Sequence, residues 1–354
     1  MKIHEKYIKR CIELAKNGLG TTYPNPLVGS VIVFENQIIG EGWHQKAGEP
    51  HAEVHAINSV KNKSLLSKST IYVSLEPCSH FGKTPPCADL IIENNIANVV
   101  LGTVDPNEKV AGKGIQKLIA AGIHVTTGIL EAECNELNKR FFTFHQQKRP
   151  YIILKWAETA DGFIAPNENL RKALNANEQK PVWITNRYSR QLVHKWRNEE
   201  QAILVGTQTV VDDNPSLNVR YWTGNQPIRI VIDRQNRLEE TLAIFQSSQI
   251  TMALSESKKE FKNENCKSEI IHFDGNVAQE ICDVLFRNQI QSVIIEGGAK
   301  TLQTFIDENL WDEARIFKGT NSFLTGTKAP VFSGKMNEQK TILDDTLLIF
   351  KNHD

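Results

Sequence analysis

Thr70-Ile71-Tyr72-Val73-Ser74-Leu75-Glu76-Pro77-Cys78 is a run rich in β-branched and aromatic residues that passes directly into a proline and a thiol. Such a composition favours a strand, and the proline, with no N–H to give to a ladder, closes it. Upstream, 28–34 and 37–40 flank Glu35-Asn36 as a hairpin, and 51–60 has helical spacing. Further strands are expected at 98–103 and 124–127, with helices at 88–95 and 114–121 between them. The N-terminal segment 3–16 carries Ile3, Tyr7, Ile8, Cys11, Leu14 and Ala15 on one helical face. Strands alternating with helices imply an α/β sandwich whose sheet is largely parallel after the opening hairpin.

A helix expected over 131–147 runs into Gln146-Gln147-Lys148-Arg149-Pro150, where the proline breaks it. The domain boundary is placed there, giving domains at 1–147 and 148–354. Strands at 151–157, 202–206, 228–233, 269–273 and 292–296 then alternate with helices at 187–197, 277–287 and 299–308, a second α/β domain. The polar stretches 166–180 and 255–267 read as exposed loops without chemistry.

A chain of 354 residues with 40% apolar and 23% charged residues is long enough for two cores and too apolar for wholesale disorder. Lys+Arg and Asp+Glu both number 41, so no global charge favours nucleic acid or acidic membranes. The mean hydropathy is −0.35, and no run approaches the roughly 18 apolar residues of a membrane span. The N-terminus lacks the apolar centre of a signal peptide, and the expected location is cytoplasmic. Six cysteines are too few for a disulfide scaffold, so any special pair is expected to be metallic or catalytic.

His51-Ala52-Glu53 at a helix start, Pro77-Cys78 beyond a strand and Cys87 supply one imidazole, two thiolates and a carboxylate. That donor set suits zinc with a fourth tetrahedral position left for water, and Glu53 is the natural proton shuttle for hydrolytic deamination. His55 lies four residues after His51, but Ala52 stands where a zinc protease needs Glu. Separately, each residue has a plain alternative: His51 as a helix cap, Cys78 and Cys87 as small buried hydrophobes.

Eight residues separate the cysteines, where nucleobase deaminases commonly have two. The segment Glu76 to Cys87, with Pro24-Asn25-Pro26-Leu27-Val28-Gly29, Gly42-Trp43-His44 and Ala47-Gly48-Glu49-Pro50-His51-Ala52-Glu53, resembles the pyrimidine deaminase domain of bacterial riboflavin biosynthesis. Val104-Asp105-Pro106-Asn107 and Val110-Ala111-Gly112-Lys113-Gly114 extend the resemblance over nearly all of the first half. It implies a cytidine-deaminase-like α/β/α sandwich acting on 2,5-diamino-6-ribosylamino-4(3H)-pyrimidinone 5′-phosphate. It further implies Zn2+ on His51, Cys78 and Cys87, Glu53 as proton donor, and Asn25, His44 and Lys83 near the substrate. Ser30 stands where many relatives have a cysteine, with no ligand lost.

In the second half, Ser292-Val293-Ile294-Ile295-Glu296-Gly297-Gly298-Ala299 is a strand, a glycine turn and a helix start, which exposes backbone N–H groups to phosphate. The G-x-G-x-x-G fingerprint of a standard dinucleotide fold is absent. Leu154-Lys155-Trp156-Ala157, Asp161-Gly162, Trp183-Ile184-Thr185, the run 202–206, Asp213-Asn214-Pro215, the run 217–220 and the run 227–233 resemble the reductase fused to that deaminase. The resemblance implies a dihydrofolate-reductase-like α/β domain using NADPH. It places Trp183, Thr209, Asp213 and Gly298 at the cofactor, and Arg197, Leu217, Arg220 and Glu296 at the substrate. Lys155 is then catalytic or substrate-orienting.

Thr159-Ala160 replaces a common Ser-Leu, Pro181 stands where a substrate-binding serine is common, and Arg234 stands where a small polar residue is frequent. The expected function is deamination followed by NADPH-dependent reduction of the ribosyl side chain to a ribitylamino product. The substrate is a small phosphorylated pyrimidine, with no nucleic acid or membrane partner and a homo-oligomeric state, dimer or tetramer. The alternatives are a deaminase with a binding-only second domain and a tRNA adenosine deaminase.

Overall fold

The apolar face at the N-terminus forms helix α1 (Lys2–Ala15), which buries Tyr7, Ile8, Cys11, Ile12, Leu14 and Ala15. The computed structural model describes residues 2–352 apart from 80, 82–84, 107–110 and 176–177. The chain divides into two compact units, Met1–Lys148 and Arg149–Asp354.

In the first unit, α1 leads to the hairpin β1 (Gly29–Phe34) and β2 (Gln37–Trp43). Both turn residues, Glu35 and Asn36, have positive φ, as a tight two-residue hairpin demands. β2 runs to Trp43, beyond the expected end at 40, because Glu41, Gly42 and Trp43 continue to pair with Val31, Ser30 and Gly29. There follow α2 (Ala52–Ser59), β3 (Thr70–Leu75), α3 (Cys87–Glu93), β4 (Asn98–Thr103), α4 (Lys113–Ala120), β5 (His124–Thr126), α5 (Glu131–Leu137) and α6 (Lys139–Gln147). The sheet order is β2-β1-β3-β4-β5. β1 is antiparallel to both neighbours, while β3, β4 and β5 run parallel.

Successive strand residues feed opposite cores, as the two-residue pleat requires. Val31, Val33, Tyr72 and Val100 pack with α1 and α5. Ile32, Ile71, Val73, Val99 and Leu101 pack with Ala56, Ile57, Ala88, Ile91 and Leu118 of α2, α3 and α4. Both sheet faces are therefore covered, the α/β/α sandwich expected from the alternation.

The helix expected over 131–147 is broken at Asn138. This residue is buried (2% exposed), and its side chain accepts the Leu27 N–H at 2.7 Å and donates to the Leu27 carbonyl at 2.9 Å. Local helical periodicity continues across the site, so the break follows from a contact 111 residues away in sequence.

The second unit contains β6 (Tyr151–Glu158), β7 (Phe163–Pro166), α7 (Glu168–Asn175), α8 (Arg187–Glu199), β8 (Ala202–Gly206), α9 (Thr207–Asp213), β9 (Ile228–Ile232) and β10 (Thr251–Ser255). It continues with β11 (Cys266–Ile270), α10 (Val277–Arg287), β12 (Ser292–Glu296), α11 (Ala299–Asp307), β13 (Glu313–Lys318), β14 (Gly326–Lys328), β15 (Lys335–Ile342) and β16 (Asp345–Lys351). The main sheet is ordered β11-β10-β9-β8-β12-β6-β13-β16-β15, and β14 pairs with β7 apart from it. From β11 to β13 the strands are parallel; β16 and β15 close the edge antiparallel.

Three expectations change here. The stretch 166–180 holds helix α7, started by Asn167, whose side chain accepts the Leu170 N–H at 2.8 Å. The strand expected at 269–273 lies at Cys266–Ile270, three residues earlier, so that it begins in the last two residues of the stretch expected to be loop. It is a half-exposed edge strand of mostly polar residues, with no periodicity to mark it. β7, β10 and the four strands β13 to β16 were also not expected; β15 is almost wholly exposed and polar.

Candidate active sites

The first site is assembled at the C-terminal ends of the parallel strands. Gly42 on β2 brings that strand against α2, since a Cβ there would lie 2.5 Å from the Ala56 nitrogen and 2.6 Å from the Ala52 oxygen. This seats the start of α2, where His51 is the N-cap residue with extended backbone. Cys78 lies three residues past β3, and Cys87 is the first residue of α3 after Pro86. The Ala88 N–H donates to the Cys78 carbonyl at 3.1 Å and the Cys87 N–H to Cys78 Sγ at 3.3 Å, so backbone bonds hold the two thiols together.

His51 Nδ1 lies 3.6 Å from Cys78 Sγ and 3.3 Å from Cys87 Sγ, and the three donor atoms lie within 4.8 Å of one another. A tetrahedral zinc with bonds of about 2.3 Å to sulfur and about 2.0 Å to nitrogen separates those atoms by about 3.5 Å. The donor set and its spacing therefore fit the ion. Hydrogen bonding shared with Cys87 and with His51 drives Cys78 toward thiolate, while that sharing and burial push the Cys87 thiol upward. Glu53, in the first turn of α2, is 3% exposed; burial and then the Cys78 charge raise its carboxyl to about 7.

Asn25 and His44 adjoin this triad. His44 lies edge-on to His51, with ring centres 5.3 Å apart. Its Nδ1 is 3.1 Å from the Pro50 carbonyl, which can only accept, so Nδ1 carries the proton and Nε2 accepts from Asn25 Nδ2 at 3.0 Å. Burial lowers the His44 pKa and keeps the ring neutral. Lys83 lies outside the described residues. Ser30 is buried in β1, and among the described residues its hydroxyl has no hydrogen-bond partner.

The second site centres on Glu296, the last residue of β12, which sits in register beside Lys155 on β6. Arg197 of α8 grips its carboxylate with Nε at 3.1 Å and Nη2 at 2.7 Å, and Lys155 Nζ is 3.8 Å away. Burial alone would raise the Glu296 carboxyl, but Arg197 and Lys155 reverse this and hold it at about 2. Burial in turn lowers the Lys155 pKa. His194, missed in the sequence, is buried one turn before Arg197, and burial followed by Arg197 and Arg220 lowers its pKa to about 4. Its Nδ1 accepts the Arg220 N–H at 3.3 Å, which brings Arg220 to the edge of the cluster.

Gly297 and Gly298 follow Glu296 with φ of 82° and 71°, and Gly298 caps α11. A Cβ on Gly297 would lie 3.1 Å from Thr209 Oγ1, so bare backbone, the Thr209 hydroxyl and the start of α11 meet. This cradle suits a dinucleotide phosphate. Asp213, one turn after Thr209 in α9, is paired at 2.6 Å with Arg171 of α7. The segment read as a loop without chemistry thus places a cation on an expected cofactor residue. Trp183 is half exposed, with the Arg190 guanidinium 4.6 Å over its ring. Leu217 is 4% exposed, in a core with Val210, Val231 and Phe245.

The family profile for the cytidine and deoxycytidylate deaminase zinc-binding region matches residues 1–103, and that for the RibD C-terminal domain matches residues 150–352. The riboflavin biosynthesis protein RibD of Aquifex aeolicus is 40% identical over 320 residues, covering 89% of this chain and 86% of that protein. That of Escherichia coli is 38% identical over 330 residues, covering 88% and 86%. Among solved structures, a Thermotoga maritima diaminohydroxyphosphoribosylaminopyrimidine deaminase/5-amino-6-(5-phosphoribosylamino)uracil reductase superposes with a TM-score of 0.88, at 36% identity over 99% of each chain. Acinetobacter baumannii RibD superposes with a TM-score of 0.89, at 33% identity over 100% of this chain and 99% of that one. The resemblance, the fold of each half and the zinc and NADPH requirements expected from the sequence all hold on these grounds, and the chain belongs to the RibD family of bifunctional riboflavin-biosynthesis deaminase–reductases.

Proposed function

We propose that the first unit deaminates 2,5-diamino-6-ribosylamino-4(3H)-pyrimidinone 5′-phosphate and that the second reduces the ribosyl chain of the product to the ribitylamino form. The observation that carries the first assignment is the His51, Cys78 and Cys87 triad beside the buried carboxyl of Glu53. Zinc held by the triad supplies Lewis acidity, lowering the pKa of water toward about 7. Glu53, buried beside the triad, takes a proton from the attacking water and delivers it to the ring nitrogen, then takes the hydroxyl proton of the resulting adduct and passes it to the departing amine, which leaves as ammonia. Asn25 and neutral His44 orient the pyrimidine, and Lys83 carries its phosphate.

In the second unit NADPH supplies hydride, with Thr209, Gly298, Asp213 and Trp183 holding the dinucleotide. Lys155 and Glu296, the latter held by Arg197, orient the opened ribosyl chain, and Arg220 takes its phosphate. Catalysis there rests on positioning more than on an acid–base pair. We assign the protein to the cytoplasm as a homo-oligomer without a nucleic-acid partner; among the described residues no helix is long and apolar enough to cross a membrane.

Mass spectrometry of the product from zinc-loaded protein and the diaminopyrimidine ribosyl phosphate tests this reading. The expected result is replacement of an amine by oxygen, followed by addition of two hydrogens only when NADPH is present. Deamination without the second change would leave the binding-only alternative for the second unit. An unchanged pyrimidine would overturn the substrate assignment.

A further inference from the structure

Glu76, between β3 and Cys78, is 5% exposed, and among the described residues its carboxylate accepts the backbone N–H groups of Asp105, Gly112, Gly114 and Ile115. Oε2 takes those of Asp105 at 3.3 Å and Gly112 at 3.0 Å; Oε1 takes those of Gly114 at 2.9 Å and Ile115 at 3.3 Å. Capping the start of α4 accounts for the groups from Gly112 onward, but not for Asp105, which lies two residues past β4. Leu75 and Thr103 are paired in register, so Pro77 and Asp105 leave adjacent parallel strands side by side, at the strand ends where α/β sheets bind ligands. The approach is close: a Cβ on Gly114 would lie 2.1 Å from the Pro77 carbonyl oxygen.

We propose that Glu76 is a positioning residue for deamination, gathering Asp105 and the start of α4 against the turn that carries Cys78 and so fixing one wall of the pyrimidine site. This rests on the reading of the first unit as a pyrimidine deaminase. The metal ligands do not depend on Glu76 for their own placement, because Cys78 and Cys87 are joined through the Ala88 and Cys87 N–H groups. Its effect therefore falls on substrate seating and not on metal retention.

Glu76→Gln keeps the size but turns an NH2 group toward two N–H donors, so one pair of loop amides loses its acceptor whichever way the amide is turned. The expected result is a KM for the diaminopyrimidine at least tenfold higher, with kcat within about threefold, one zinc per chain and unchanged NADPH-dependent turnover of the deaminated pyrimidine. An unchanged KM, or deamination lost in proportion to zinc, would overturn the proposal. Hydrogen exchange in the wild-type chain decides the matter if the variant does not fold: the Asp105 and Gly112 amides are expected to be protected, and exchange at free-peptide rates would overturn it. A wild-type protein that leaves the pyrimidine unchanged would instead refute the substrate reading, a separate failure that leaves the exchange result standing.

Discussion

A carboxyl can serve first as base and then as acid only if it exchanges its proton near the working pH, and burial beside Cys78 raises Glu53 to about 7. Glu53→Gln preserves size and hydrogen-bonding capacity but cannot move a proton. Its kcat for deamination is expected to fall by about 10²–10⁴-fold, with zinc content retained and NADPH oxidation on the deaminated pyrimidine unaffected; steady-state assays of the two activities on one preparation check this. These residues were legible in sequence because each ligand follows a structural signal, a helix start or a proline after a strand. His194 and Arg171 were not, because their importance arises from what the fold places beside them: the Arg220 N–H and the Asp213 carboxylate.

Several helices and buried strands declare themselves through their apolar pattern, and β3, β4, β8, α10 and β12 lie where the sequence places them, while β10 and β13, equally buried, do not stand out from their surroundings. Where an element is defined by a distant partner, local pattern fails: α5 and α6 read as one helix because nothing near Asn138 reports its two bonds to Leu27. Asn138 sits between the two helices, so Asn138→Ala gains no helix propensity there and leaves the buried Leu27 N–H and carbonyl unpaired, at about 1–3 kcal/mol each. A destabilisation of about 2–6 kcal/mol is expected by urea denaturation. Asn138→Asp keeps the acceptor for the Leu27 N–H but sets a second carboxylate oxygen against the Leu27 carbonyl in a buried site, and should lose at least as much. The edge strands β11 and β15 are illegible for a different reason, since a solvated edge needs no apolar alternation and here has none.

At the scale of the whole chain, the second unit gathers opposed charges around one buried carboxylate, and this makes its folding acid-sensitive. His194 takes its proton near pH 6.5 when unfolded and only near 4 when folded. The unfolded chain therefore binds more protons between those values, and stability falls as pH drops from 6.5 to 4. Glu296, depressed to about 2 by Arg197 and Lys155, adds stability that is present above about 4.5 and is lost as pH falls toward 2. The two windows adjoin, so the loss begins with His194 and continues with Glu296. His194→Asn, which cannot protonate, should flatten the first window alone and remove up to about 3 kcal/mol of pH dependence. Urea titrations followed by tryptophan fluorescence read this unit closely, because five of the six tryptophans lie in it and Trp196 sits in α8 between His194 and Arg197. If wild type and variant lose stability in parallel from pH 6.5 to 4, the acid sensitivity belongs to other groups and the neutral His194 is not what the fold protects.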